Sequence, residues 1–188
     1  MLAGMELELS AEAKDKRLNR QIAITVVVLS VFAGLCGIKD GNVVQAMEQA
    51  QAASIDQWNE YQSTRTKQHL AEDARLQLAA LAPPGKAADA LTGLDHDIAR
   101  YKAEAPALAA SAKAQSALYD RLNFHDDQFD AADAAISTAI SIAAVAALAE
   151  SAGLLWAAWA FGAFGLFMGL NGFLGGSFHP DLLSTLLG

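Results

Sequence analysis

The chain has 188 residues, 53% of them apolar, with a formal net charge of −8 and a mean hydropathy of +0.22. Soluble domains of this length sit lower in hydropathy, and so acidic a chain lacks the basic surface that nucleic acid demands. A single cysteine, Cys36, excludes an intramolecular disulfide framework.

Residues 1–20 form a basic lead-in, with Lys14, Lys16, Arg17 and Arg20 placed just before the apolar run Gln21–Ile38. A secretory signal has the same order, but here the basic region is long and no A-x-A site follows the run, so an uncleaved anchor is predicted. At ~1.5 Å per residue the run spans roughly 27 Å, enough for a thin bilayer. A lipid-modified Cys36 would want a small residue before it, where Leu35 stands.

Lys39-Asp40-Gly41-Asn42 is expected to end this first helix with a polar break. From Val43 to Leu81 there is no proline or glycine, and Ala, Gln, Glu, Lys and Leu dominate, which predicts one continuous helix. Ala82-Pro83-Pro84-Gly85 stops it, because two prolines remove donors and bias the chain away from α. Helical composition resumes at Lys86 and runs to the second apolar stretch, with a new helix or a kink expected at Ala105-Pro106. Residues 39–133 are therefore read as an extracytoplasmic antiparallel hairpin, coiled-coil-like, with its turn at 82–86. Its arms are nearly equal, so folding back returns both ends to one membrane face. The apolar seam is expected along Val44, Met47, Trp58, Tyr61, Leu70, Leu78 and Leu81 on the first arm. Leu91, Leu94, Ile98, Tyr101, Leu108, Leu118, Leu122 and Phe129 supply partners on the second. Ser54 and other polar residues interrupt that seam, so self-association or a covering partner is expected.

The second span, 134–149, is short and rich in Ala and Ser and would insert poorly alone. A tight turn at Glu150-Ser151-Ala152-Gly153 leads into a third, stronger span, 154–174, and the pair is expected to insert together. Basic residues flank the first span on its N-terminal side, against Lys39 alone on the other, which predicts a cytoplasmic N-terminus. The tail, 175–188, is expected to start a short helix at Pro180 and lay Leu182, Leu183, Leu186 and Leu187 on the interface. The fold class is all-α: three transmembrane helices plus a long helical hairpin.

Three places carry a likeness to a known family: Lys16-Arg17-Leu18-Asn19-Arg20, then Asp56-Gln57-Trp58-Asn59-Glu60-Tyr61-Gln62 with Lys67-Gln68-His69, then His125-Asp126-x-x-Phe129-Asp130. In these the chain resembles an uncharacterised bacterial membrane family, domain of unknown function 4337. The resemblance implies architecture and supplies no activity. Glu150 stands where members of that family tend to carry basic residues.

Three groups are candidate sites. Trp58, Tyr61 and Arg65 share a helical stripe and, with Lys67 and His69, form a candidate interaction face; the alternative is packing in the seam or within a homo-oligomer. Asp126, Asp130 and Asp133 lie at i, i+4 and i+7, and with His125 could hold a metal or a proton. The blander reading is a solvated acidic collar; a narrower one is that Lys39 pairs with Asp130 or Asp133, because both ends meet at the membrane interface. Gly162, Gly165 and Gly169 line the third span with Ala158 and Gly172, as helix-packing positions. His69, His96 and His179 are read as ordinary surface residues. No phosphate loop, Cys-x-x-Cys pair or nucleophile elbow occurs, and no catalytic residue, metal or cofactor is assigned. The expectation is a non-enzymatic membrane-anchored scaffold, as a homo-oligomer or an accessory subunit of a larger complex; the alternative is a small oligomeric channel.

Overall fold

The computed structural model describes residues 2–83 and 85–178, with side chains from Lys16 onward. It has three helices among the described residues and no strand: α1, Leu2–Leu81; α2, Ala88–Leu148; and α3, Ala152–Leu174. Pro84 of the expected turn, and His179, Pro180 and the leucines 182, 183, 186 and 187 of the expected tail, lie outside the described residues.

The break expected at Lys39–Asn42 is missing, and no new helix starts at Pro106. α1 continues through Lys39-Asp40-Gly41-Asn42. One glycine costs a helix interior only about 1 kcal/mol relative to alanine, and the alanine- and glutamine-rich turns that follow sustain the helix. α2 likewise continues through Pro106. Proline forfeits one i→i−4 bond there, and the carbonyl it frees belongs to Lys102, an exposed residue like Pro106.

The true helix ends have local causes. Beyond α1 the Ala82 N–H still reaches the Leu78 carbonyl at 3.0 Å, Pro83 offers no donor, and Gly85 turns the chain at φ +79°. After α2, Glu150 takes a left-handed φ of +48° while the Ser151 N–H donates back to the Ala146 carbonyl at 3.1 Å. After α3, Gly175 at φ +67° lets the Gly176 N–H reach the Asn171 carbonyl at 2.8 Å, the six-to-one bond of a Schellman end.

The chain divides into two compact units, Met1–Gln45 with Leu122–Gly188, and Ala46–Arg121. The first is a three-helix bundle. Leu18 and Ile22 of α1 pack on Ala143 and Ala146 of α2 and on Leu155 and Ala158 of α3. Further along, Leu29 meets Ile136 and Ala139. The inward stripe of α2 is nearly all alanine (Ala132, Ala135, Ala139, Ala143, Ala146), and that of α3 is Ala158, Gly162, Gly165, Gly169 and Gly172. Such small residues let helix backbones approach closely. Large apolar side chains point outward instead: Ile24, Val31, Leu35 and Ile38 from α1, and Trp156, Phe161 and Phe167 from α3, are all exposed. In water so large an apolar surface would aggregate; in hydrocarbon it is matched to its solvent. All three helices are long and apolar enough to cross a membrane.

The second unit pairs a segment of α1 with a segment of α2 in antiparallel sense: Ser54 contacts Ala112 and Ser116, and Arg75 contacts Asp95. On α1 the buried and half-buried stripe reads Met47, Ala50, Ser54, Gln57, Tyr61, Thr64, Gln68, Ala71, Arg75 and Leu78, an unbroken alternation of threes and fours. On α2 the facing stripe is Leu91, Leu94, Ile98, Tyr101, Ala105, Leu108, Ala112, Gln115 and Tyr119, with the same period. The seam on α1 thus differs from the expected one: Leu70 and Leu81 are 64% and 83% exposed, while Ser54, Thr64 and Gln68 are buried. The 3.5-residue register carries the polar residues inward and those leucines outward.

Candidate functional site

Most of the polar chemistry outside the spans gathers in two places. The first lies in the second unit, around the expected interaction face. Trp58 flanks the seam and Tyr61 lies in it; both are half-buried, and they pack edge-to-face at 5.5 Å. Arg65 donates to Gln68 Oε1 at 2.7 Å, and Gln68 Nε2 donates to Glu72 Oε1 at 3.0 Å, so one turn of α1 is laced by its own side chains. Lys102 of α2 closes the lattice with an ion pair of 2.9 Å to Glu72. The Gln68 hydrogen bond and then Lys102 bring the Glu72 carboxyl down to about 2. His69 and Lys67 are exposed, His69 within 3.5 Å of Glu72. Of the five expected interaction residues, Trp58, Tyr61 and Arg65 are therefore partly engaged within the chain, and Lys67 and His69 face out.

Beside this lattice is a groove of about 410 Å³ lined by Glu72, Arg75, Leu76, Asp95, Ile98 and Lys102. Its charges are already spoken for, because Arg75 pairs with Asp95 and Lys102 with Glu72. Exposed pairs contribute little. Arg75→Ala should change stability little, and a double-mutant cycle with Asp95→Ala should return a small coupling that fades at high salt.

The second place is where the spans meet the polar segments in the first unit. Lys39 is exposed, and among the described residues it makes no ion pair with Asp130 or Asp133, which are exposed as well. The expected cation–carboxylate pair is replaced by a contact between carboxyls: Asp40, one residue and about 100° further round α1, shares a side-chain hydrogen bond with Asp126 of α2. Burial, and then the charges of Asp40 and Asp130, push the Asp126 carboxyl up to about 6. Burial raises Asp40 too, against the lowering effect of its bond with Asp126. The second Asp40 oxygen, Oδ1, is buried without a hydrogen-bond partner.

Beside this pair sits Gln128, fully buried. Its Oε1 meets His125 Nδ1 at 3.0 Å, which makes that nitrogen the donor. Its Nε2 donates to the carbonyls of Gly176 and Phe178 at 3.0 and 2.6 Å, and Asn171 adds a 2.9 Å bond to Phe178. The segment just after α3 is thereby tied to α2. Asp40 and Gln128 are the residues that sequence reasoning passed over. Asp40 was hidden in a tetrapeptide that reads as a helix break. Gln128 had a signal, since it lies in register with Ala132, Ala135 and Ala139 on the inward stripe.

Gly162, Gly165 and Gly169 all face inward, where Leu29, Ile136 and Phe32 occupy the space that a β-carbon would need. Among the described residues no three His, Cys, Asp or Glu side chains converge on a metal position.

The Domain of unknown function profile (DUF4337) matches residues 18–175. The chain belongs to this family. The DUF4337 match opens at Leu18, the first described residue of the bundle core, and closes at Gly175, the C-cap of α3. Like its family it is membrane-associated, an all-α membrane protein. No curated protein and no solved structure matches it significantly.

Proposed function

We propose that this DUF4337 protein is a non-enzymatic scaffold of the bacterial inner membrane, acting as a homo-oligomer or as an accessory subunit of a larger membrane complex. Residues 39–133 form the extracytoplasmic coiled-coil hairpin and the N-terminus faces the cytoplasm, as the basic residues Lys16, Arg17 and Arg20 before the first span favour. The observation that carries the reading is the composition of the paired seam. Its period is regular, but Ser54, Gln57, Thr64 and Gln68 occupy positions that a self-sufficient coiled coil fills with leucine or isoleucine. Polar seam residues specify register and partner at the expense of stability, which suits a rod that is completed by association.

Purification from native expression in mild detergent, followed by mass measurement and identification of every retained protein, tests it. A defined multimer or a partner at fixed stoichiometry is expected, with no conductance in planar bilayers. A lone monomer that binds nothing would overturn the scaffold reading, and unitary conductance would replace it with a channel.

A further inference from the structure

We propose that Asp40 and Asp126 form a pH-gated clasp between α1 and α2, closed while the two carboxyls share a proton and released when that proton is lost. The geometry is a carboxyl–carboxyl hydrogen bond joining two helices within one unit, with the remaining Asp40 oxygen, Oδ1, buried and unpartnered. Two carboxylates at hydrogen-bond range repel one another once both are ionised, and a buried charge without a donor is costly. The surroundings reinforce the repulsion. From α1 come Cys36, Lys39, which is exposed, and Asp40 itself; from α2 come His125, Asp127, Asp130 and Asp133; α3 and the segment Gly175–Phe178 carry no ionisable side chain. His125 Nδ1 is engaged by Gln128.

The direction follows from where Asp126 titrates. Its carboxyl is raised from an ordinary 3.8 to about 6, chiefly by burial and then by Asp40. A raised carboxyl stabilises the folded state fully below the unfolded value and loses that contribution as pH climbs through the folded one. The clasp therefore holds at pH 5 and yields between about pH 5 and 8. Glu72 does not confound this window, because its depressed titration leaves it ionised throughout.

Cys36 reports the event. It lies one turn before Asp40 on α1 and is 1% exposed. In the full-length protein in detergent, the maleimide labelling rate of this sole cysteine is compared between wild type and Asp126→Asn from pH 5 to 8. The amide of the variant donates to Asp40 at every pH, so the ratio removes the part of the thiol's pH dependence that the two proteins share, and amide exchange reports opening independently of the thiol. A wild-type-to-variant ratio near one at pH 5, rising several-fold by pH 8 with a midpoint near 6, is expected. Amide hydrogen exchange over residues 37–44 should follow the same curve. Asp40→Asn, which removes one of the two charges, should flatten both profiles and serves equally if Asp126→Asn does not fold. A ratio independent of pH, with exchange profiles unchanged by either variant, overturns the clasp.

Discussion

Gly165→Val should unfold the bundle or cost it about 3 kcal/mol or more, while Gly34→Val should leave it standing. A β-carbon at position 165 would lie 2.6 Å from Ile136 Cγ1, 3.0 Å from the Ala132 carbonyl oxygen and 3.2 Å from the Ile136 nitrogen. The last two are backbone atoms of α2 and have no rotamer to escape into, so the helices themselves must separate. Overpacking a close-packed contact typically costs 1–3 kcal/mol, and a clash with backbone belongs at or beyond the upper end. At position 169 the obstacles are the Phe32 ring at 2.6 Å and Cys36 Sγ at 2.8 Å, both side-chain atoms, so Gly169→Ala should be milder. At Gly34 nothing lies within 4 Å, and helix propensity alone favours replacing glycine. Reversible unfolding of the purified protein by SDS titration would rank the three. Equal losses at 165 and 34 would mean that the α2–α3 contact is not what holds the bundle.

That contrast bears on what the sequence made legible. The three spans and the Pro-Gly turn followed from hydropathy and two breaker residues, signals that survive any tertiary context. Gly162, Gly165 and Gly169 stood out as small residues at threes and fours in an apolar helix, a weak signal by itself because glycine is common in spans; all three face inward. The inner seam of α1 in the second unit was not legible from apolar residues alone. Tracing leucines gave Leu70 and Leu81, which are exposed, whereas the true stripe from Met47 keeps strict 3.5 spacing through Ser54, Gln57, Thr64 and Gln68. Period outranks polarity there, since an antiparallel partner fixes register over the whole length while one polar residue costs only a local penalty. The break read at Lys39–Asn42 and the new helix offered at Pro106 failed for a related reason. Local breaker chemistry of about 1–3 kcal/mol is small beside a long helix fixed by packing on both sides. The Asp40–Asp126 contact could not have been read at all, because like charges give no sequence signal of attraction; only the fold brings them together.

Gln128→Leu should cost about 2–4 kcal/mol, out of proportion to a substitution that conserves size and adds apolar surface. The side chain has no exposure to solvent, and all its bonding capacity in the site is used: one bond from His125 and two to main-chain carbonyls. Removing it leaves His125 Nδ1–H and the Gly176 carbonyl without their partners, whereas the Phe178 carbonyl retains Asn171. A fully buried polar group deprived of its partner costs about 1–3 kcal/mol; these two are half-buried, so together they come to about 2–4 kcal/mol at most and still outweigh the gain from leucine. Gln128→Glu separates the two halves of the network. It keeps an acceptor for His125 but sets an oxygen against two carbonyl oxygens, so the segment after α3 should come loose while α2 keeps its local bond. Limited proteolysis after Leu174 would detect the release, with cleavage faster in both variants than in wild type and unchanged in Asn123→Ala, which lies five residues earlier on α2. If Gln128→Leu is as stable and as protease-resistant as wild type, the amide is not what ties the end of α3 to α2. The edge-to-face contacts of Phe129 with Phe173 at 5.3 Å and of Phe167 with Phe178 at 5.3 Å would then have to hold that end of the bundle alone.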